Sequence, residues 1–357
     1  MELTKTKILE ALKKGKAERL KEDIEYMRFR EEAGKITRGT VVTKERVILG
    51  FEHIPRIFTL AKGLKRNIGD DEEVYLEEKI DGFNLRIAKI EGKVFAFSRG
   101  GFIDAFATEK ARDLGLERFF SDFPDYVLCG EMIGNTPYTT PTKKFDVMLF
   151  VFDIDEGNGE YVPCAERYAI LKKYGIVCVP QLGKFRVDDV KGIGALALAL
   201  NKAKKEGMVI KTSDRRKAVK YVTPAADIED IAKCSPVMFD MPLGFYVQRV
   251  FRSGIFIRDF GLDRKEYAKA LGEAFYSGLH EGIDSVEDGR GAEEVFEIFI
   301  KNPKTWETIH HHMSKEVKLD VIFRREENGG ERIRFRKIYQ KTTKKLRDAI
   351  TGKGEED

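Results

Sequence analysis

A lysine stands at the end of a strand-like run, Tyr75-Leu76-Glu77-Glu78-Lys79-Ile80-Asp81-Gly82-Phe83-Asn84-Leu85-Arg86. Four more charged islands come after it in order: Ser98-Arg99-Gly100-Gly101, Cys129-Gly130-Glu131, Glu206-Gly207-Met208-Val209-Ile210-Lys211 and Lys217-Ala218-Val219-Lys220. An isolated Lys-x-Asp-Gly is ordinarily a solvated strand end followed by a turn. Five islands in this order point instead to a site that binds a nucleotide and attacks its α-phosphate with a lysine amine. An amine is nucleophilic only when neutral, and free lysine has a pKa of about 10.4. Burial, neighbouring cations or a metal must lower it. Asp81 supplies a carboxylate next to the amine, and Gly82 allows close approach of the chain to a ligand.

Carboxylates beside a phosphate repel it unless they hold a cation. Mg²⁺ takes a few carboxylates together with phosphate oxygens, so Asp81, Glu131 and Glu206 are candidates for a metal shell. Taken singly, each also reads as an edge charge paired across strands. Arg99, Lys211 and Lys220 would clamp phosphate, Arg in bidentate fashion and Lys as a point charge. One face of the strand Met148-Leu149-Phe150-Val151-Phe152-Asp153 could stack on a purine; Phe150 reads as core.

Two C-terminal features invite chemistry. Adjacent imidazoles in His310-His311-His312 fan to different faces of a helix, which disfavours a single-ion site. Trp306, Arg324, Arg325, Arg334, Arg336, Lys344 and Lys345 form a basic region with aromatic interleaving. It could track an RNA backbone or be a solvated face.

The elements that must position these residues are short. Strands are expected at 73–80, 84–90, 93–98, 126–133, 146–154 and 207–212, and helices at 108–120, 163–173 and 192–204. Tight turns such as Ile90-Glu91-Gly92-Lys93 predict antiparallel sheets with helices outside. Apolar residues Ile8, Leu9, Leu12, Leu20, Ile24 and Met27 predict one or two helices over 5–33, followed by a short hairpin of 40–42 and 46–50. After Thr223-Pro224 the pattern is largely helical over 226–302, with strand or coil near 245–257. A basic helix ends near Ile350, and Gly352 to Asp357 read as a disordered tail.

The chain has 357 residues, 42% hydrophobic and 35% charged, with a net charge of +4. That length predicts several domains. The small net charge means that any polyanion contact comes from local clusters. Cys129, Cys164, Cys178 and Cys234 lie far apart, which suggests neither zinc nor a disulfide framework. No apolar run reaches spanning length, and Met1 to Lys5 lacks a signal-peptide core. A cytoplasmic protein with no membrane partner is expected.

The constellation resembles the covalent nucleotidyltransferase superfamily of DNA and RNA ligases and mRNA capping enzymes. Lys79-Ile80-Asp81-Gly82 matches its nucleophile motif; Arg99, Glu131, Phe152-Asp153, Glu206-Gly-x-x-x-Lys211 and Lys220 match the rest in order. Within it, the whole chain resembles the archaeal homodimeric ATP-dependent RNA ligases (RNA ligase family 3). Further likeness lies in Phe51-Glu52-His53-Ile54-Pro55-Arg56, Gly134-Asn135-Thr136-Pro137-Tyr138 and Tyr221-Val222-Thr223-Pro224. No equivalent of the oligonucleotide-binding barrel of DNA ligases and capping enzymes stands after the last lysine motif.

The resemblance implies an α+β fold: an adenylyltransferase (ATP-grasp-like ligase) domain of antiparallel sheets flanked by helices, with a small N-terminal module and mostly helical C-terminal domains. The segments are 1–50, the N-terminal module; 51–225, the adenylation domain; 226–302, a helical dimerisation domain; and 303–357, a basic C-terminal domain. It implies joining of RNA 5′-phosphate and 3′-hydroxyl ends, within or between molecules, through lysyl-AMP and an adenylylated RNA end. ATP and Mg²⁺ or Mn²⁺ are the expected cofactors. Lys79 is the nucleophile. Nucleotide contacts fall to Glu77, Lys79, Asn84, Arg86, Arg99, Glu131, Phe152, Glu206, Lys211, and Lys217 or Lys220. The alternatives are a DNA ligase, a GTP-using capping enzyme or an inactive nucleic-acid-binding protein.

Overall fold

The structure, a computed structural model, describes residues 5–69 and 72–354. The expectations for Met1 to Thr4, and for residues 355–357 of the tail, lie outside the described residues.

Residues 5–33 are only partly helical. After α1 (Lys5–Lys13) the chain forms a hairpin of β1 (Ala17–Lys21) and β2 (Glu25–Phe29). Leu20 and Met27, expected on a helix, lie on its strands, and Ile24 in its turn. Four consecutive residues of β2, Tyr26 to Phe29, are buried, so burial against neighbouring strands outweighs a weak helical periodicity. The expected hairpin comes next as β3 (Val41–Val42) and β4 (Val47–Ile48), completing an antiparallel sheet ordered β1-β2-β3-β4. Ile24, Tyr26, Val41 and Ile48 pack on Ala88, Ile90, Phe95 and Phe97. The N-terminal module therefore shares its core with the central region.

That central region contains α2 (Leu60–Asn67), β5 (Glu73–Glu78), β6 (Phe83–Ile90), β7 (Lys93–Ser98), α3 (Ala105–Asp113) and α4 (Glu117–Asp122). It continues through β8 (Val127–Gly134), β9 (Val147–Asp155), α5 (Cys164–Lys173), β10 (Gln181–Arg186), α6 (Val190–Lys202), β11 (Gly207–Thr212) and β12 (Ala218–Val222). Two antiparallel sheets result, ordered β10-β5-β11-β12 and β7-β6-β8-β9. Leu76, Ile210 and Val219 of the first pack under Leu60 and Leu64 of α2 and Ile193 and Ala197 of α6. Leu85, Ile87, Leu128 and Leu149 of the second pack under Phe106 of α3 and Phe119 and Phe120 of α4. Full burial of each such side chain is worth about 1.5–3 kcal/mol.

Thr223 caps α7 (Pro224–Cys234) by accepting from Ala226 N, with Pro224 in the first turn, where proline is preorganised. A short 3-10 helix (Ser235–Asp240), α8 (Gly244–Asp259) and α9 (Arg264–Glu287) come next. The strand or coil expected near 245–257 is instead continuous helix. Its Phe256 stacks on Tyr221 of β12, centroids 5.3 Å apart, inside the core under α2 and α6.

The chain ends with β13 (Glu293–Ile300), α10 (Pro303–Met313), β14 (Lys318–Glu327), β15 (Gly330–Ile338) and α11 (Gln340–Ile350). The boundary expected at 302/303 fails, because β13 pairs with β15 in a sheet ordered β13-β15-β14. The C-terminal part is mostly helical, as expected, but also carries this three-stranded sheet. Trp306 is not an exposed stacking platform: it is buried against Phe335, centroids 5.0 Å apart. The basic residues of this sheet are laced with carboxylates. Arg324 meets Glu331 at 2.5 Å, Arg325 meets Glu327 at 2.9 Å, and Arg336 meets Glu293 at 3.1 Å. His310, His311 and His312 close the last turn of α10, where positive charge suits the helix terminus. Among the described residues, no helix is long and apolar enough to cross a membrane.

Candidate active site

The site lies between the two central sheets. Lys79 leaves the end of β5 beside the start of β11, its backbone N donating to Gly207 O at 3.0 Å. Gly207 has φ +146°, and a Cβ there would run into Tyr221 O, so only glycine serves. This pairing places Glu206 opposite Lys79. The ammonium lies 2.6 Å from each Glu206 carboxylate oxygen, with both side chains about one-fifth exposed (22% and 18%).

The opposite wall comes from the other sheet. Asn84, Glu131 and Phe150 occupy one cross-strand row of β6, β8 and β9, and a bulge between Cys129 and Gly130 offsets Phe152. Such bulges re-aim side chains. Phe152 lines the pocket, facing Phe51 with centroids 5.2 Å apart. Ile54, Val179 and Val209 complete an apolar end suited to a flat base. Phe150, expected in the core, is half-buried on the Glu131 face and outside the core clusters. Gly82 serves packing rather than a ligand, since a Cβ there would collide with Met132 O of β8.

The polar end is electrostatically incomplete. Burial pushes Glu131 up to about 7, with Glu206 and Asp81 adding to the rise and Lys79 opposing it. Burial also raises Glu206 against the pull of Lys79. Lys220 is lowered to about 8 by burial and then by Arg56, Lys79 and Arg99. The Oδ1 of Asn84 is buried with no hydrogen-bond partner.

Behind the pocket lies a second charge cluster, in which each buried carboxylate is ion-paired. Lys211 Nζ reaches Glu77 at 2.7 Å, Asp153 at 2.9 Å and Phe152 O at 2.7 Å. Arg167 bonds Glu77, Asp153 and Phe152 O, and Arg215 holds Asp153 at 2.8 Å and Glu52 at 2.9 Å. Burial alone would raise Asp153, but Arg215 and Lys211 hold it well below the usual carboxylate range.

Most of the expected site residues converge here: Glu77, Lys79, Asn84, Arg99, Glu131, Phe152, Lys211 and Lys220 line the pocket, and Glu206 pairs with Lys79. Other residues depart from expectation. The guanidinium of Arg86 is buried and donates to Leu49 O, Gly39 O and Ser98 O, so it ties strands together outside the pocket. Lys211 reaches the pocket, but its ammonium is spent on Glu77, Asp153 and Phe152 O. Of the two lysines left open, Lys220 lines the pocket, whereas Lys217 donates to Ile68 O at 2.6 Å. Asp81 is 61% exposed and 3.8 Å from Lys233, so the expected three-carboxylate shell is not assembled. Among the described residues, no group of three or more ligating side chains could hold a metal ion. Phe51 stands in the sequence only as a landmark of the resemblance; an aromatic ring after a strand signal gives no hint of a partner in β9.

The RNA ligase family matches residues 72–222, and the ligase Pab1020 C-terminal region matches residues 234–353. The chain is 31% identical over 351 residues to the uncharacterized protein MJ0414 of Methanocaldococcus jannaschii, covering 92% of this chain and 88% of that one. A solved Aquifex aeolicus structure named "Putative ATP-dependent DNA ligase" superposes with a TM-score of 0.92 at 31% identity, covering 99% of this chain and 100% of that one. An archaeal ATP-dependent RNA ligase superposes with a TM-score of 0.89 at 28% identity, covering 98% of this chain and 96% of that one. The first match lies on the strands that carry Lys79, Glu131 and Glu206, the second on the helices and sheet behind them, and together they show that the chain belongs to the RNA ligase family with a Pab1020-type C-terminal region.

Proposed function

We propose that this chain is an ATP-dependent RNA ligase that works through a lysyl-AMP intermediate. The observation that carries the reading is Lys79, held on Glu206 in a pocket with an aromatic, base-sized end and cations facing the other end. Neutral Lys79 attacks the α-phosphate of ATP and expels pyrophosphate. The 5′-phosphate of RNA then takes the AMP, and a 3′-hydroxyl displaces AMP to seal the strand. Phe51 and Phe152 hold the base, the free Oδ1 of Asn84 accepts from a sugar hydroxyl, and Arg99 and Lys220 hold phosphate.

Glu131 and Glu206 fit a divalent cation, because burial without full charge compensation raises both and a hard cation with phosphate oxygens would supply the missing charge. Bound there, Mg²⁺ or Mn²⁺ would offset phosphate charge and release the Lys79 amine from its carboxylate. Incubation with ATP labelled at the α-phosphate tests the reading: labelled protein is expected, and its absence would overturn it. Replacing ATP by GTP distinguishes a capping enzyme.

The similarity to the Aquifex structure favours a second reading, DNA joining. Nicked RNA and nicked DNA substrates, compared at equal concentration, separate the two.

We also infer a homodimer. Leu243, the residue that caps α8, and Val247 and Phe251 within it recur every four residues and are 100%, 69% and 56% exposed, an apolar stripe out of place on a solvated helix. Val247→Asp is expected to give monomers by light scattering; an unchanged mass would refute this contact. Deletion of 226–302 is no test, since it removes β13 and the buried Phe256.

A further inference from the structure

Arg56 is a cation left out of these assignments. It precedes α2, and a parallel bridge ties it to Lys220: Lys220 N donates to Pro55 O at 2.9 Å and Ile57 N donates to Lys220 O at 3.0 Å. The charged groups around its guanidinium are Arg252, Asp227, Glu206 and Arg249, and burial holds it below its ordinary range. Two of these neighbours are already matched. Arg252 pairs with Asp227, and Arg249 pairs with Asp230 at 2.7 Å. Glu206 is taken by Lys79.

Arg56 itself has no such match. Its Nη1 is buried without a hydrogen-bond partner, and no ion pair reaches it among the described residues. Lys220 is lowered by burial and feels the positive charge of Arg56 directly. Arg56 and Lys220 are both half-buried and neither meets a carboxylate among the described residues, and such a pair of like charges is unfavourable unless an anion joins it. Arg56 does not line the base-sized end of the pocket. Its backbone is bridged to that of Lys220, which lines the pocket, and Lys220 feels the charge of both Arg56 and Lys79. A guanidinium offers forked donors that fit phosphate oxygens.

We propose that Arg56, acting with Lys220, binds the two phosphates of ATP beyond the α-phosphate and holds them as pyrophosphate departs. The proposal rests on the lysyl-AMP reading above. In that step the Nζ–P bond forms and the bond from the α-phosphorus to the bridging oxygen breaks. Pyrophosphate leaves with that electron pair, and the amine proton is released to solvent. Negative charge grows on the departing group, so a preplaced cation there accelerates the step.

The test uses the full chain as Arg56→Ala and Arg56→Lys. Each protein is loaded with labelled AMP, and loss of label is followed against pyrophosphate concentration. Half-saturation by pyrophosphate is expected to rise about tenfold or more in Arg56→Ala, the scale of a lost charge-assisted hydrogen bond, with partial recovery in Arg56→Lys. Forward labelling is expected to slow in parallel. Sealing of RNA that is already adenylylated, and the unfolding temperature, are expected to stay close to the parent. An unchanged pyrophosphate dependence would overturn the proposal. So would an equally deep loss of sealing, which would assign Arg56 to the RNA phosphate, or a large drop in unfolding temperature, which would make it architectural. Where Arg56→Ala cannot be loaded, the ATP-concentration dependence of Arg56→Lys decides. If the parent itself forms no labelled protein, the lysyl-AMP reading falls first.

Discussion

Two groups of charge lie back to back in this molecule, and they differ in completeness. The inner group, Glu77, Asp153, Arg167, Lys211 and Arg215, is buried to within 1% exposure, and its carboxylates each meet two or more cations. The outer group, Lys79, Glu131, Glu206 and Lys220 with Arg56, holds carboxyls raised and a lysine lowered by burial. Both are built from the same residue types, and Lys211 lies only five positions after Glu206. In the inner group every cation and carboxylate enters an ion pair on folding, whereas in the outer group Arg56 and Lys220 enter none among the described residues. Incomplete pairing, rather than charge itself, marks where chemistry occurs.

The comparison can be broken most severely at Lys79, the proposed nucleophile. Lys79→Ala is expected to abolish labelling by ATP while leaving the joining of pre-adenylylated RNA, which needs no lysine amine; wild-type labelling would end the assignment. Glu206→Ala comes next. A loss of labelling on the order of 10²-fold is expected, the scale for a preorganised electrostatic group, with little change in a urea melt. A matched loss of stability would move Glu206 into the inner group.

Asp153→Ala is expected to do the reverse. It strands Lys211, Arg167 and Arg215 in the interior, at a cost of roughly 3–5 kcal/mol, visible in the denaturation midpoint before any assay. Lys211→Ala belongs with it, contrary to a simple phosphate-clamp role. A stable Asp153→Ala protein would show that the inner group is not what holds the sheets.

A smaller effect sharpens the contrast through pH. Glu131 and Glu206 are raised by burial, so their contribution to stability is fully present below the ordinary carboxyl range, where folded and unfolded chains both hold the proton, and is lost as the unfolded chain ionises first. It declines as pH rises toward about 7, the value for Glu131. Asp153 is depressed, so its contribution is present above the ordinary carboxyl range and fades as pH falls below it. Glu131→Gln is expected to flatten only the near-neutral part of a stability-against-pH curve; a flattening at acid pH instead would misassign it. The smallest effect is expected from Lys217→Ala, whose ammonium meets Ile68 O and lies outside the pocket. Labelling should stay near the parent rate, and a deep loss would restore Lys217 as a phosphate ligand.

Much of this is legible in the sequence, for physical reasons. The strands bearing Lys79, Glu131 and Lys211 have apolar residues dense enough to announce themselves. β10 (Gln181–Arg186) does not, because an edge strand with half-exposed side chains carries little apolar pattern. α2 escapes notice because only Leu60 and Leu64 of its eight residues are buried. Within the site, a motif gives the type and order of residues but not which carbonyl a guanidinium will find. Arg86 and Lys211 therefore read as ligand contacts when the fold uses them. Arg56 and Phe51 go the other way: both sit in irregular chain, where no periodicity reports what packs nearby.

The seam between the catalytic sheets and the last sheet is continuous. Phe296, Ile298, Ile333 and Phe335 join the same apolar cluster as Leu85, Leu128 and Leu149. A single carboxylate, Glu109 of α3, receives Lys301 N, Asn302 N and Thr305 Oγ1 at the start of α10. This architecture has no natural cut line. A shortened version ending near residue 230 would bare a greasy face and orphan an acceptor that three donors now fill. Minimal ligases therefore cannot be carved from this chain by truncation alone; they need a resurfaced α3–β9 face.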